Sequence, residues 1–258
     1  MSAVIAANAV VVAVMFSALW VASVRLRDAS IVDPWWSVGF LAVALRTVAS
    51  SGLSPAKALL VTMVAIWSLR LSWHLHRRAR GKPEDPRYQS FRERFGAERY
   101  WWVSFFQVFM LQGALLLVVS APLQCALAVQ GEDPLRWNDV VGAAVWLVGF
   151  LFEAVGDAQL QAFRGDPTKR GAVLDTGLWR YTRHPNYFGD ALLWWGFGLC
   201  ALDAPGGALA LVGPLVMTVL LRRVSGVTML EPMLARTRPG YAEYVRRTSP
   251  FIPWWPKA

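Results

Sequence analysis

The stretch RYTRHPNYFGDALLWWGFG, residues 180–198, sets Arg180, Arg183, His184 and Asn186 directly before an apolar run whose one acid is Asp190. Asn186 and Asp190 stand four residues apart, so on a helix they share a face and offer hydrogen-bonding groups to an amide or carbonyl deep in a cavity. Glu153, Asp157, Gln161 and Arg164 follow spacings of four, four and three and make a second polar stripe. Arg70, His74, Arg77 and Arg78 make a third, basic one at the end of an apolar segment. A charge at the centre of a membrane helix costs about 2.5–3.5 kcal/mol on insertion scales, so grouped stripes of this kind imply a compensating polar interior. Among the arginines, Arg164, Arg180, Arg183, Arg222, Arg223, Arg246 and Arg247 bring guanidinium forks, whose geometry matches phosphate. The chemistry expected is recognition of a large, charged, phosphate-bearing cytosolic ligand. The stripes could instead pair with one another to hold a bundle, and the outermost arginines could snorkel to headgroups.

Positioning these groups falls to long apolar elements. The chain has 258 residues, 55% hydrophobic and 17% charged, which places it among membrane proteins. Candidate spans run over residues 3–24, 35–51, 54–75, 102–129, 138–162, 187–202 and 205–223, which predicts an all-α integral membrane protein of seven transmembrane helices in one domain over 1–258. The last two are expected to form a hairpin whose turn uses Pro205, Gly206 and Gly207. With the amino terminus outside, the inner segments 25–34, 76–101, 163–186 and 222–258 hold 22 of the 26 Lys and Arg residues, so the carboxyl terminus is expected in the cytoplasm. The setting expected is a bacterial inner membrane. The first segment lacks a basic leader and reads as a retained helix rather than a cleaved signal. Fourteen tryptophans, many paired as in Trp35-Trp36, Trp101-Trp102, Trp194-Trp195 and Trp254-Trp255, suit the headgroup boundary, the alternative being that a pair lines a pocket.

Several classes are set aside by what the spacing does not offer. Cys125 and Cys200 stand alone in apolar runs without a metal-ligand or disulfide pattern, so no metal is expected. The net charge of +9 resides in loops between spans and comes with no aromatic-basic recognition motif, which argues against nucleic acid. Gly196-Phe-Gly-Leu-Cys-Ala201 fits a loose GxGxxA pattern, but no strand precedes it, so it is taken as chance.

GLWRYTRHPNYFGDALLWWG resembles the signature of the steroid 5-alpha-reductase-like membrane proteins. SIVDPWWSVGF, IWSLRLSWHLHRR and the closing GYAEYVRRTSPFIPWWP resemble the bacterial branch of that family, the 3-oxo-5-alpha-steroid 4-dehydrogenases. The resemblance implies a seven-helix enzyme that binds NADPH from the cytosol and reduces the enone C=C of a 3-oxo-Δ4-steroid or similar lipid. It implies cofactor contacts at Asp157 and Arg164, with Glu153 where reductases often carry an amide, and at Asn186 and Asp190. Arg183 and His184 would meet the phosphate and ribose region, with Tyr181 and Tyr187 beside them. Arg70, Arg77 and Arg78 on the third helix, Arg222 and Arg223 on the last, and Glu231 and Tyr244 of the tail complete the implied set.

The family also holds the substrate carbonyl with an acid on the second helix and a tyrosine on the third. The acid maps onto Asp33, whereas the tyrosine has no counterpart, its neighbourhood reading Trp67-Ser68 with Arg70 and His74 beyond. Hydride addition to an enone places negative charge on that oxygen, so a donor must face it. The expectation is that Asp33, helped by Trp67, Ser68 or His74, polarises the oxygen; the competing reading makes Asp33 a helix cap or turn acid before Pro34. Membrane methyltransferases of the isoprenylcysteine carboxyl type share a similar Arg-His-Pro-Asn-Tyr string and tail, which leaves an S-adenosylmethionine-dependent enzyme as the alternative. A transporter or scaffold would bind no cofactor, and the chain shows no internal repeat in its favour. The sequence predicts no particular oligomeric state.

Overall fold

Long apolar runs form helices because each backbone N–H and C=O must be satisfied within its own segment once water is excluded. The computed structural model describes residues 1–131, 134–224, 231 and 234–257, and no strand occurs among them. Six helices among the described residues are long and apolar enough to cross a membrane: Ser2–Leu26, Ala29–Ser51, Pro55–Ala79, Ala97–Val119, Trp137–Gly165 and Gly207–Val224. The helix Pro185–Cys200 has 16 residues, which at ~1.5 Å per residue falls short of a ~30 Å hydrocarbon core. The chain divides into two compact units, Met1–Arg136 with Ala201–Ala210, and Trp137–Cys200 with Leu211–Ala258.

The first unit begins with α1 (Ser2–Leu26), which ends at Arg27 in the left-handed conformation, its N–H turned back to the carbonyls of Ser23 and Val24. Asp28 caps a short 3₁₀ turn by accepting from Ser30 N, and α2 (Val32–Ser51) follows. Ser54 and Pro55 start α3 (Pro55–Ala79), the serine accepting from Lys57 N and the proline occupying the first turn, where no N–H is needed. Asp85 and Pro86 repeat that arrangement for α4 (Pro86–Phe95).

Next, α5 (Ala97–Ser104) runs through a π-helical segment, Phe105–Met110, into α6 (Leu111–Val119). The span expected over 102–129 therefore stops at Val119, because Pro122 carries no N–H to continue the ladder and opens α7 (Ala121–Leu127) instead. The turn after Ala201 carries Gly206 at φ +80° and leads into α10 (Gly207–Ala210).

Polar side chains tie the first unit together. Asn8 donates to Thr47 Oγ1 at 2.9 Å and to Gln124 Oε1 at 3.1 Å, which links α1, α2 and α7 in the apolar interior. Lys57, fully buried, places Nζ 3.2 Å from Ser51 O, 3.1 Å from Gly52 O and 2.6 Å from Val129 O. A single ammonium thus satisfies carbonyls at the C-terminal ends of two helices, where the helix dipole favours a cation. Around these groups the core is built on Phe16, Phe40, Trp67 and Leu116.

In the second unit α8 (Trp137–Gly165) packs against α9 (Pro185–Cys200) backbone to backbone. Gly142, Gly149 and Gly156 recur every seven residues on α8; the first two meet Gly196 and Gly189 on α9, and Gly156 meets Pro185 and Asn186. A Cβ on Gly189 would lie 2.3 Å from Glu153 N, and one on Gly149 would lie 2.5 Å from Leu193 N. Gly196 of the GxGxxA string is part of this seam, its Cβ position 2.7 Å from Gly142 O, so packing explains it. Trp194 departs from the expected headgroup placement: it is fully buried against Phe197, at 5.3 Å between rings, whereas Trp35, Trp101, Trp102, Trp254 and Trp255 are exposed. Two further elements, α11 (Val212–Val219) and the tail helix α12 (Tyr241–Arg247), complete the regular structure used below.

Candidate functional site

Each unit holds polar side chains that the sequence singled out. In the first, Asp33 lies in the opening turn of α2, whose N-cap is Ile31, so Asp33 is not the cap residue. Its carboxylate receives Arg87 NH2 at 2.7 Å on Oδ2 and the Tyr88 hydroxyl at 2.6 Å on Oδ1. Tyr88 in turn accepts from Gln112 Nε2 at 3.2 Å, and Trp36 Nε1 donates to the Gln112 carbonyl at 3.2 Å. Arg87 is shared with Asp85, its Nε 2.9 Å from Oδ1.

Burial pushes the Tyr88 phenol well above its ordinary range, and the neighbouring Asp33 charge adds to the push, so it keeps its proton throughout the physiological range. Burial alone would raise the Asp85 carboxyl, but the hydrogen bonds from Arg87 outweigh it and hold it low. Burial likewise disfavours the Arg87 charge, and the bonds and charges of Asp85 and Asp33 more than restore it.

The residues expected to help Asp33 lie on α3. Trp67 is fully buried with its ring 5.6 Å from Phe40. Ser68 accepts Ser37 Oγ on its carbonyl at 3.0 Å. Arg70 and His74 are half-buried on α3, while Arg77 and Arg78 are exposed, Arg77 lying 6.0 Å from the Trp73 ring. Asp33 takes its hydrogen bonds from α4 rather than from α3 among the described residues. Arg87, Tyr88, Asp85 and Gln112 went unnoticed in the sequence. The Asp85-Pro86 pair, a helix-start signal, would have placed Tyr88 on the first turn of a helix.

In the second unit the carboxylates Glu153 and Asp157 are both buried on α8. Asn186 donates from Nδ2 to Asp157 Oδ1 at 3.0 Å, and its own Oδ1 is buried with no hydrogen-bond partner among the described residues. Asp190 is half-buried one turn farther along α9. The lower part of the α8 stripe, Gln161 and Arg164, is exposed.

Arg183 behaves differently from the other arginines. Its Nε lies 2.8 Å from Glu231 Oε1, its NH1 2.7 Å from the Thr248 carbonyl and 3.1 Å from that of Val245. His184 Nε2 reaches the same Glu231 oxygen at 3.3 Å and stacks on Tyr187 with rings 5.5 Å apart. Burial would raise Glu231, yet the bonds from His184 and Arg183 overcome it and hold the carboxyl below its usual range.

Tyr244 donates to the Trp179 carbonyl at 2.5 Å, and burial pushes its phenol up. Tyr181 accepts from Trp254 N at 2.9 Å and meets the Trp255 ring at 5.5 Å. These contacts make Arg183, Tyr181 and Tyr244 the fasteners of the tail. Arg222 and Arg223 are exposed, with Arg222 5.7 Å from the Phe251 ring. Among the described residues no group of three or more His, Cys, Asp or Glu side chains is arranged to hold a metal.

Residues 19–248 match the family described as "Protein of unknown function (DUF1295)", and the chain therefore belongs to that family. It is also 26% identical over 271 aligned positions to "Uncharacterized protein C594.04c" of Schizosaccharomyces pombe, an alignment that covers 93% of this chain and 77% of the yeast protein. No solved structure matches it.

Proposed function

We propose that this member of the family is an NADPH-dependent membrane reductase that saturates the enone C=C of a 3-oxo-Δ4-steroid or a similar lipid. Its family includes steroid 5-alpha-reductase-like membrane proteins, which supports the reading. The observation that carries it is the Asn186–Asp157 pair, in which the amide spends its donor on the acid and keeps a buried acceptor oxygen. A buried acceptor left open costs about 1–3 kcal/mol, and a carboxamide N–H relieves that cost. Asn186 and Asp157 would hold the nicotinamide carboxamide, and the exposed Arg164, Arg222 and Arg223 would hold the phosphates. Arg183 does not fit a phosphate contact well, since Glu231 and two carbonyls already occupy it; its part is to position the tail. Bound NADPH supplies the hydride.

The role of the first unit is the carbonyl oxygen. Tyr88 retains its proton and is oriented by Asp33 and Gln112, so its hydroxyl can turn to an oxygen on which negative charge develops. Asp33 remains neutralised by Arg87 when Tyr88 turns away, which makes Asp33 a positioning residue and Tyr88 the donor. A proton at the α-carbon completes the saturation. In this reading α9 is the sixth of seven spans, the amino terminus lies outside, and the cofactor site faces the cytoplasm of a bacterium.

Purified protein mixed with NADPH and a panel of enone steroids is expected to oxidise the nucleotide, with loss of the double bond in the product. Binding of S-adenosylmethionine with no response to NADPH would replace this reading by the methyltransferase. Binding of neither would leave a transporter or scaffold.

A further inference from the structure

A half-open cavity of about 600 Å³ lies within the first unit and is lined among others by Val24, Arg27, Arg92, Glu98, Tyr100 and Trp101, none of which contributes to the Asp33 cluster. It sits where α1 ends and the span Ala97–Val119 begins, at the boundary between hydrocarbon and water. Its walls are ring and aliphatic surface: Trp20 stacks on Trp101 at 6.3 Å and donates to its carbonyl at 2.7 Å, and Val24 and Trp101 are exposed. Such a boundary in a membrane protein faces lipid headgroups, and indoles are at home there.

The charges in this cavity sort into a pair and two remainders. Arg92 is neutralised by Glu84, with NH2 2.8 Å from Oε1 and Nε 3.1 Å from Oε2, and covers the Tyr100 ring at 4.5 Å. The Arg27 guanidinium and the Glu98 carboxylate are both exposed, and neither forms an ion pair among the described residues. Tyr100 is 1% exposed, and its hydroxyl is buried with no hydrogen-bond partner among the described residues. The cavity therefore presents one cation and one carboxylate to whatever fills it, above a buried phenol whose hydroxyl has no partner among the described residues. An inorganic anion would use the cation and be repelled by the carboxylate, and a purely anionic lipid would do the same.

We propose that this cavity binds the zwitterionic headgroup of a phosphoethanolamine glycerophospholipid. Arg27 takes the phosphate, Glu98 takes the primary ammonium, and the acyl chains run along the exposed apolar faces of α1 and α5. A primary ammonium suits Glu98 because it donates hydrogen bonds, which a quaternary choline cannot do. The inference is independent of catalysis: it needs only that the chain spans a membrane.

The test is lipid retention by native mass spectrometry, on full-length protein purified from nanodiscs holding equal parts of phosphatidylethanolamine, phosphatidylglycerol and phosphatidylcholine. The ethanolamine lipid is expected to be retained about fivefold over each of the others, a preference of the size that a charge-assisted hydrogen bond supplies. Glu98→Gln is expected to abolish the preference over phosphatidylglycerol, and Arg27→Gln to lower retention of all three lipids. Both side chains are exposed, so the variants should keep the wild-type melting temperature. Equal retention of the three lipids by wild-type protein would overturn the proposal. So would an unchanged preference in Glu98→Gln, or displacement of the lipid by an equal concentration of free glycerophosphoethanolamine.

Discussion

The helices of the first unit are joined by side-chain hydrogen bonds, Asn8 to Thr47 and Gln124, and Lys57 to three helix-end carbonyls, whereas α8 and α9 of the second meet at bare glycine backbone. The polar clusters differ in a parallel way. Asp33 has both carboxylate oxygens engaged, while Asn186 holds one acceptor in reserve. Side-chain glue can be cut one bond at a time, but a backbone seam has no give, because the atoms a new Cβ would strike cannot rotate away. That rigid seam also carries the Asn186–Asp157 pair, so the position of the spare acceptor is set by glycine packing.

The sharpest way to break this contrast is Gly189→Leu, which drives a side chain into the Glu153 backbone and is expected to cost more than ~3 kcal/mol, read as lost thermal stability in detergent. Next in size is Tyr88→Phe, which keeps the ring and removes the hydroxyl bonded to Asp33; turnover of an enone steroid should fall about 100-fold with little change in melting temperature. Lys57→Met leaves the carbonyls of Ser51, Gly52 and Val129 without their cation and should cost about 2 kcal/mol in chemical unfolding, less than the glycine variant. Asn186→Ala should weaken NADPH binding about tenfold in a nicotinamide fluorescence titration while leaving the fold intact.

The smallest effect is that of Glu231. Its folded pKa is depressed, so it contributes stability above the unfolded value near ~4.3 that is lost as pH falls through the folded value. The group is partly exposed and screened, so the difference in melting temperature between wild type and Glu231→Gln should be slight at neutral pH and vanish in acid.

Much of this architecture was legible in the residues. Hydropathy located the long helices, because excluding water forces each apolar run to close its own hydrogen bonds, and the four-residue spacing brought out the buried pair Glu153 and Asp157. The Asp33 partners were not legible in the same way: Arg87 and Tyr88 lie 54 and 55 residues on, in a polar segment whose fold depends on the Asp85 cap. Arg183 likewise looked like a phosphate ligand because its neutralising partner, Glu231, is 48 residues away. The glycine seam was present as a seven-residue recurrence on α8, but the helix it packs against is not encoded in that spacing.

The π-helical turn Phe105–Met110 carries a consequence for how the chain could change over generations. Such a turn holds one residue more than an α-helix needs, so losing a single codon there would restore regular winding. Because the turn itself absorbs the extra residue, the face of α6 beyond it would keep its direction, and Gln112 would stay within reach of Tyr88. One deletion there would thus leave both the Gln112–Tyr88 bond and the apolar exterior in place, which makes this turn the point of the span most tolerant of a lost residue.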